Sequence, residues 1–190
     1  MELAGIVLAG GAARRLSGVD KPMLEVGGTP LLRRAVDALG AARPVVVVGP
    51  RRPGLPGVRW TREDPPGGGP VAALAAGLAA LSPGYPEVVA VLAADLTGVQ
   101  SSTVDKLVRA LGKADGAVLV DPEGRWQWLI GAWRTTKLRA VLPPEPSGAS
   151  LRKVLGGLSI VAVPGAPGES ADVDTPTDLD RLTGRPPVVN

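Results

Sequence analysis

A glycine-rich stretch that carries cations, residues 8–22, is the strongest chemical signal in the sequence. It reads LAGGAARRLSGVDKP and begins where the apolar run 3–9 ends. Glycine lets backbone N–H groups approach a phosphate or a base edge without a Cβ in the way, and Arg14, Arg15 and Lys21 add positive charge. The pattern predicts a loop that binds a triphosphate. Its spacing fits neither the dinucleotide-binding nor the P-loop motif, and a glycine turn with solvated arginines is the alternative.

A lone carboxylate, Asp95, follows the apolar run 87–93. A charge at the end of a buried strand is costly unless it has a partner. Mg²⁺ prefers one or two carboxylates together with substrate phosphates and waters. We therefore expect Asp95 to bind Mg²⁺, with an N-cap for the following segment as the open alternative.

Two further acidic pairs lie beside predicted helix starts. In the extended segment 172–176, alternation directs Asp172 and Asp174 to one side. One of them could complete a metal site with Asp95, or either could support the helix terminus. Glu63-Asp64 precedes the glycine turn 65–69, which suits a nucleoside lying along the helix start; a flexible connection is the alternative.

The elements that must position these residues alternate between strand and helix. The predicted strands are 3–9, 45–48, 58–61, 87–93, 117–120, 126–133 and 158–163. The predicted helices are 31–39 (with Thr29 as N-cap and Pro30 at its first position), 70–81, 102–111, 137–142, 150–155 and 175–182. This order predicts an α/β fold with a largely parallel sheet, helices on both faces and ligands at the carboxyl ends of strands.

Composition limits the domain count and the available chemistry. A chain of 190 residues that is 45% hydrophobic can bury one core, so we expect a single domain over 1–190, with residues 184–190 as a flexible tail. The sequence contains neither Cys nor His. Disulfides, the usual zinc sites, thiol nucleophiles and His-based triads are therefore excluded. Catalysis must use carboxylates, cations, backbone amides or a hard metal.

The charge pattern favours a small anionic ligand. The net charge is +3, and Lys and Arg are spread along the chain without a basic stripe of interleaved aromatics, so nucleic acid is not an expected partner. The sequence has no apolar run of about 18 residues or more and no cationic leader. We expect a cytoplasmic protein without membrane contact.

Three motifs together resemble one family. These are L-A-G-G-x-x-x-R-L-x-G-x-D-K at 8–21, the strand-end Asp95, and D-V-D-T-P-T-D-L at 172–179. In order and spacing they are similar to the molybdenum cofactor guanylyltransferase (MobA-like) family, within the wider nucleotidyltransferases of sugar phosphates and cofactors. The resemblance covers nearly the whole chain. It implies a three-layer α/β/α, Rossmann-like nucleotidyltransferase fold with a mostly parallel central sheet.

The resemblance also implies an activity and a set of site residues. The reaction would transfer GMP from GTP to the terminal phosphate of molybdopterin, release pyrophosphate and require Mg²⁺. The implied catalytic residues are Arg15 and Lys21; the implied nucleotide-binding residues are Leu8, Ala9, Gly10, Gly11, Lys21, Asp64 and Asp95; the implied metal ligands are Asp95 and Asp174. The pair Gly10-Gly11 favours GTP over CTP. Transient contact with other molybdenum cofactor enzymes is a further expectation.

The chain departs from the family pattern at three places. After the strand-end Asp95 it has Leu96-Thr97-Gly98, where the family usually has one residue and then Pro. Val48-Gly49-Pro50 stands where the family often has Asn, and Gln127-Trp128 replaces a His-Pro pair. Use of CTP, a sugar or alditol phosphate acceptor, and a non-catalytic nucleotide-binding homologue therefore stay as alternatives. Trp126, Trp128 and Trp133 occupy strand positions that are more often core than pterin-stacking.

Overall fold

The computed structural model describes residues 2–10, 20–83 and 86–173, and its main feature is a seven-stranded sheet covered by helices. The strands are β1 (Leu3–Leu8), β2 (Glu25–Val26), β3 (Thr29–Pro30), β4 (Val45–Val48), β5 (Arg59–Thr61), β6 (Val88–Ala93), β7 (Gly116–Val120), β8 (Trp126–Arg134) and β9 (Ile160–Pro164). The α-helices are α1 (Leu31–Ala38), α2 (Pro70–Ala79), α3 (Ser101–Ala110), α4 (Thr135–Val141) and α5 (Leu151–Leu155). A short 3₁₀ helix spans Lys21–Met23.

The central sheet is mostly parallel, with the strand order β5-β4-β1-β6-β8-β7-β9. Strand β1 lies between β4 and β6 and is parallel to both, and β5 continues the parallel part beyond β4. Strand β8 is antiparallel to its neighbours β6 and β7. The carboxyl ends of β1, β4, β5 and β6 therefore meet at one edge of the sheet, where a doubly wound fold places its ligands.

Helices cover both faces because successive side chains of a strand point in opposite directions. In β1, Ala4, Ile6 and Leu8 pack in the cluster that contains α2, α4 and α5 residues. Val7 packs in the opposite cluster, with residues of α1 and α3. Both faces of the strand are thus buried, which explains its unbroken apolar sequence. The predicted α/β class and three-layer arrangement are confirmed.

Helix α2 approaches the sheet closely because small residues face the strands. A Cβ added at Gly77 would lie 2.8 Å from Cγ2 of Ile6 and 3.0 Å from Cγ2 of Val48. The Ala- and Gly-rich sequence of α2 therefore reflects its distance from the sheet. The helix begins at Pro70, which lies at the ligand-binding edge.

The segment before α1 differs from the prediction. Thr29 is not the N-cap of α1. It pairs, together with Pro30, with Glu25-Val26 in an antiparallel hairpin, and Pro30 is the N-cap residue of a helix that begins at Leu31. Pro30 has an extended ψ of 140°. The two turn residues, Gly27 and Gly28, both have positive φ, as a two-residue hairpin turn of type I′ requires.

The remaining predicted strands and helices among residues 2–10, 20–83 and 86–173 are present, with ends shifted by one or two residues. The predicted helix 175–182 lies outside the described residues. Across the described part of the chain, no helix combines the length and the apolarity needed to cross a bilayer.

Candidate active site

A cavity of about 710 Å³ opens at the carboxyl ends of β1 and β6. We call it the main cavity. Its polar lining side chains are Asp20, Lys21, Arg52, Glu63, Asp95, Gln127, Ser170 and Asp172. Lys21 and Asp95, which the sequence predicted from separate motifs, thus face one space. A cavity of this size accommodates a small-molecule substrate.

The end of β1 contributes backbone to the cavity. Leu8, Ala9 and Gly10 all line it, and backbone hydrogen bonds hold Leu8 and Ala9 in place. The Ala9 N–H donates to the carbonyl of Val48 at 2.8 Å, and the Ala94 N–H donates to the carbonyl of Leu8 at 3.0 Å. The three residues predicted to face the nucleotide are therefore placed on a rigid sheet edge.

Arg52 joins the two ends of the predicted phosphate-binding loop. Its Nη1 donates to the carbonyl of Ala9 at 3.2 Å. Its Nε and Nη2 donate to the two carboxylate oxygens of Asp20 at 2.8 and 2.7 Å. The adjacent Lys21 begins the 3₁₀ helix and lines the cavity. Arg52 was not predicted, because nothing in its sequence neighbourhood points to the glycine-rich loop.

Asp95 is accompanied by Asp172. Leu96 and Asp172 form an isolated antiparallel bridge, and the Val173 N–H donates to the carbonyl of Asp95 at 3.2 Å. Both carboxylates line the main cavity. The described residues contain no group of three or more potential metal ligands. Two carboxylates beside space for phosphate and water fit Mg²⁺, which seldom takes an all-protein cage.

Of the two acidic neighbours Glu63 and Asp64, Glu63 is the one that lines the main cavity. It is 8% exposed, whereas Asp64 is exposed and is not among the lining residues. Oε1 of Glu63 accepts a hydrogen bond from the Gly67 N–H at 3.1 Å. Oε2 is buried and has no hydrogen-bond partner in the described part of the chain. A Cβ on Gly10 would lie 3.5 Å from Oε1, so the carboxylate adjoins the end of β1.

The glycine turn before α2 forms another wall. Gly67, Gly69 and Pro70 line the cavity, and Gly69 has a φ of +89°, which favours glycine. The turn is anchored from the far side, where the Gly148 N–H donates to the carbonyl of Gly68 at 2.8 Å. The beginning of α2 thus faces the cavity with its backbone exposed to a ligand.

A hydrogen-bonded cluster holds the segment 165–173, which carries Asp172, against α3. Glu169 accepts hydrogen bonds from Thr103 Oγ1 at 2.5 Å, from Lys106 Nζ at 2.6 Å and from the Ala166 N–H at 2.8 Å. Burial by itself would raise the pKa of Glu169, but these donors outweigh it and hold the pKa below its ordinary value. The ionised form of Glu169 therefore stabilises the segment.

Three of the predicted site residues, Gly11, Arg15 and Asp174, lie outside the described residues. Their roles stay predictions. Leu8, Ala9, Gly10, Lys21 and Asp95 line the main cavity, whereas Asp64, which was also predicted to bind the nucleotide, is exposed and does not line it. The structure adds Glu63, Arg52 and Asp172 to that lining.

The chain resembles known nucleotidyltransferase sequences. Residues 5–161 match the family model described as "MobA-like NTP transferase domain". A "probable molybdenum cofactor guanylyltransferase" of Mycobacterium ulcerans (strain Agy99) is 31% identical over 188 residues, covering 94% of this chain and 92% of that protein. A protein of the same name from Opitutus terrae is 36% identical over 126 residues, covering 64% of this chain and 62% of that protein.

Solved structures share the fold. A molybdopterin-guanine dinucleotide biosynthesis protein A from Archaeoglobus fulgidus has a TM-score of 0.68 at 18% identity, covering 96% of each chain. A 2-C-methyl-D-erythritol 4-phosphate cytidylyltransferase from Thermus thermophilus has a TM-score of 0.72 at 20% identity, covering 97% of this chain and 98% of that one. Proteins named for guanine and for cytidylyl chemistry share this architecture, so the fold alone does not determine the nucleotide.

Proposed function

The chain belongs to the MobA-like NTP transferase family and is a nucleotidyltransferase, and from this membership we propose that it transfers GMP from GTP to the terminal phosphate of molybdopterin with the help of Mg²⁺. The observation that carries the proposal is that Lys21 and Asp95 line one cavity at the carboxyl edge of the sheet. A cation for phosphate oxygens and a carboxylate for a metal are thereby available to the same polyphosphate.

The reaction needs no protein nucleophile. An oxygen of the acceptor phosphate attacks the α-phosphorus of GTP, a phosphorus–oxygen bond forms to the acceptor, and the bond to the departing pyrophosphate breaks. Lys21 stabilises negative charge on the phosphate oxygens in this process, and the backbone of Gly10 and Gly69 allows the nucleotide to lie close to the chain. The absence of histidine is compatible with this chemistry.

Glu63 supports guanine as the base. The Watson–Crick edge of guanine carries two adjacent donors, N1–H and the N2 amino group, and a carboxylate can accept from both. Cytosine, adenine and uracil each present an acceptor next to their donor on that edge and would repel a carboxylate. A guanine edge at Oε2 of Glu63 would satisfy a buried oxygen that has no partner in the described part of the chain.

Asp95 and Asp172 are the described residues that would hold the metal, and Asp174 stays a predicted ligand. When bound, Mg²⁺ would neutralise charge on the triphosphate and on the departing pyrophosphate. Leu96 and Asp172 are paired in an isolated backbone bridge, and Asp95 and Asp172 both line the main cavity.

Pyrophosphate release tests the proposal directly. The purified protein is mixed with molybdopterin, Mg²⁺ and one nucleotide at a time, and pyrophosphate is measured by a coupled assay. We expect release with GTP, and release that disappears when Mg²⁺ is chelated. Faster release with CTP would contradict the choice of donor.

A cytidylyl or alditol phosphate reaction is the competing function, since the Thermus thermophilus cytidylyltransferase has the same fold. Release with a sugar or alditol phosphate but not with molybdopterin would establish that alternative. Tight GTP binding without release for any acceptor would indicate a non-catalytic nucleotide-binding protein.

A further inference from the structure

A second cavity, of about 860 Å³, lies beside β8 and has no part in the chemistry described above. It is lined by Gly124, Arg125, Trp126, Trp128, Arg152, Lys153, Gly156, Leu158 and Ile160. Its volume is in the range of small-molecule sites, and its mixture of aromatic and charged side chains is typical of them.

The apolar part of the second cavity is a pair of stacked indole rings. The centroids of Trp126 and Trp128 are 5.5 Å apart and their planes differ by 22°. Trp126 is 39% exposed, which is unusual for so large an apolar side chain in this protein. A flat, accessible aromatic surface of this kind favours a planar ring as ligand.

The charged part of the cavity is entirely positive. Arg125, Arg152 and Lys153 line it, and none of the residues that line it within the described ranges is acidic. Arg152 and Lys153 lie on α5, whereas Arg125 belongs to the turn before β8. The ligand that fits is therefore a planar heteroaromatic group that carries negative charge.

Neighbouring residues of β8 line the second cavity and the main cavity, beside an irregularity in the pairing of this strand. The pairing of β7 with β8 jumps from Val118↔Gly131 to Leu119↔Gln127, so β8 has extra residues at this point. Adjacent residues of a regular strand point to opposite faces of the sheet. At this irregularity, however, Trp128 and Leu129 pack against the same core cluster. Trp128 lines the second cavity and Leu129 lines the main one. Bulges often redirect side chains beside active sites in this way.

We propose that the second cavity binds the ring system of the acceptor, with its planar heterocycle stacked on Trp126. Arg125, Arg152 and Lys153 stabilise the negative charge of the dithiolate group attached to the ring system of molybdopterin, while the phosphate extends past Trp128 and Leu129 into the main cavity. This inference rests on the proposed function, because it assigns a subsite to the phosphorylated pterin.

Binding of a pterin probe tests the subsite without turnover. Pterin-6-carboxylate is titrated into the intact protein, and quenching of tryptophan fluorescence gives its dissociation constant. We expect Trp126→Leu to weaken binding about tenfold, the size of a lost ring stack. Trp126→Phe retains a ring and should restore most of the affinity, and circular dichroism checks that both variants fold.

Val161→Thr is the matched control, because Val161 is 36% exposed on β9 but does not line the cavity. It should leave probe binding unchanged. Equal affinity of wild type and Trp126→Leu, or no binding of the probe to wild type, would overturn the inference.

Steady-state kinetics separate this inference from the proposed function. In the double variant Arg152→Gln/Lys153→Gln we expect KM for the acceptor to rise about tenfold or more, while KM for GTP stays unchanged. If the wild type released pyrophosphate and neither this double variant nor Trp126→Leu had a higher KM for the acceptor, the subsite would be refuted. The proposed reaction would then still stand. Absence of release with every nucleotide, together with probe binding that depends on Trp126, would refute the proposed reaction and leave a pterin-type site.

Discussion

At the residue scale, the Glu63 carboxylate lines the main cavity and has an unsatisfied buried oxygen. One oxygen accepts the Gly67 N–H, and the other is buried without a hydrogen-bond partner in the described part of the chain. A buried polar atom left unsatisfied costs about 1–3 kcal/mol. A ligand with two adjacent donors removes that cost when it binds, which links the burial of Glu63 to the choice of base.

Glu63→Gln should change the base preference from guanine to xanthine. Xanthine keeps N1–H but has an oxygen at position 2, so the Gln amide can donate to the oxygen and accept from N1–H. We expect kcat/KM for GTP to fall roughly tenfold to 100-fold, the effect of losing hydrogen bonds to a charged group, and kcat/KM for XTP to rise. Pyrophosphate release with GTP, XTP and ITP measures both changes.

Asp64→Asn is the matched control, since this neighbouring carboxylate is exposed and does not line the main cavity. Its GTP kinetics should resemble those of wild type. If Glu63→Gln kept its preference for GTP over XTP, Glu63 would have only a structural role in anchoring the glycine turn.

Lys21→Ala and Asp95→Asn should each lower kcat about 10²-fold or more, the usual effect of removing one group that stabilises charge in the transition state. Single-turnover assays with GTP and molybdopterin measure the effect. Lys113→Ala and Asp105→Asn are suitable controls because both residues are exposed and neither lines the cavity. Full activity of Lys21→Ala would contradict its assignment to the phosphates.

The location of a residue that directly follows a buried strand can be predicted from the sequence. Asp95 was predicted from its place after an apolar run, and the structure puts it in the main cavity. The pair Glu63-Asp64 shows the limit of prediction from sequence. Both residues are acidic, and the path of the backbone after β5 decides which of the two side chains faces the cavity. Arg52 could not be predicted at all, because its partners Ala9 and Asp20 are distant in sequence.

At the scale of elements, the segment 165–173 is positioned by α3 and by the residues that precede this helix. Thr97 binds it twice, with its N–H and Oγ1 both donating to the carbonyl of Ala171. A Cβ on Gly98 would lie 1.9 Å from the carbonyl oxygen of Gly168, so the two backbones are in close contact. Together with the Glu169 cluster, these contacts fix the place of Asp172.

Because Glu169 is stabilising when ionised, the free energy of unfolding should depend on pH. Because the folded pKa lies below the ordinary value of 4.5, the stabilisation is fully present above that value and is lost as pH falls through the folded pKa. Glu169→Gln should therefore reduce the free energy of unfolding at pH 7 and flatten its dependence on pH below about 4.5. Urea unfolding at several pH values measures both; identical slopes for the two proteins would contradict the role given to this carboxylate.

Gly77→Ala should destabilise the protein even though alanine favours helix. The added Cβ would meet buried methyl groups of Ile6 and Val48 at 2.8 and 3.0 Å, and overpacking of this kind typically costs about 1–3 kcal/mol. Gly157→Ala is the control, because a Cβ there meets nothing within 4 Å. Thermal unfolding should show a lower Tm for Gly77→Ala alone.

The hairpin before α1 shows why element boundaries are harder to predict than elements. Thr-Pro is a favourable helix start, and Val-Gly-Gly-Thr is a favourable hairpin turn. The two signals overlap at Thr29. The hairpin prevails here, since the Leu31 N–H donates to the carbonyl of Leu24 at 2.9 Å and extends the paired segment to the first residue of α1.

At the scale of the whole molecule, alternation of elements was sufficient to predict the fold. Apolar runs such as VVVV of β4 are buried on both faces, as expected when helices cover both sides of a parallel sheet. The antiparallel insertion of β8 between β6 and β7 was not predictable from the strand's own residues. Its place depends on long-range pairing, and it brings Gln127 and Leu129 to the main cavity.

GTP with Mg²⁺ should stabilise the entire domain, because the main cavity is lined by parts of the chain that are far apart in sequence. A ligand present at 100 times its Kd adds about 2.7 kcal/mol, which corresponds to a Tm increase of roughly 5–10 °C in a domain of this size. Differential scanning fluorimetry with GTP, CTP, UTP and ATP, each with and without Mg²⁺, measures the shifts. A larger shift with CTP would oppose the assignment of GTP.

The hydrogen bonds of Arg52 also bear on the entropy of nucleotide binding. By contacting both the Ala9 carbonyl and the Asp20 carboxylate, this side chain fixes the two endpoints of the intervening polypeptide when the protein folds. Closing a loop of that length lowers chain entropy whether or not a ligand is present. The loss therefore precedes the arrival of the triphosphate, and more of the interaction free energy is retained as affinity.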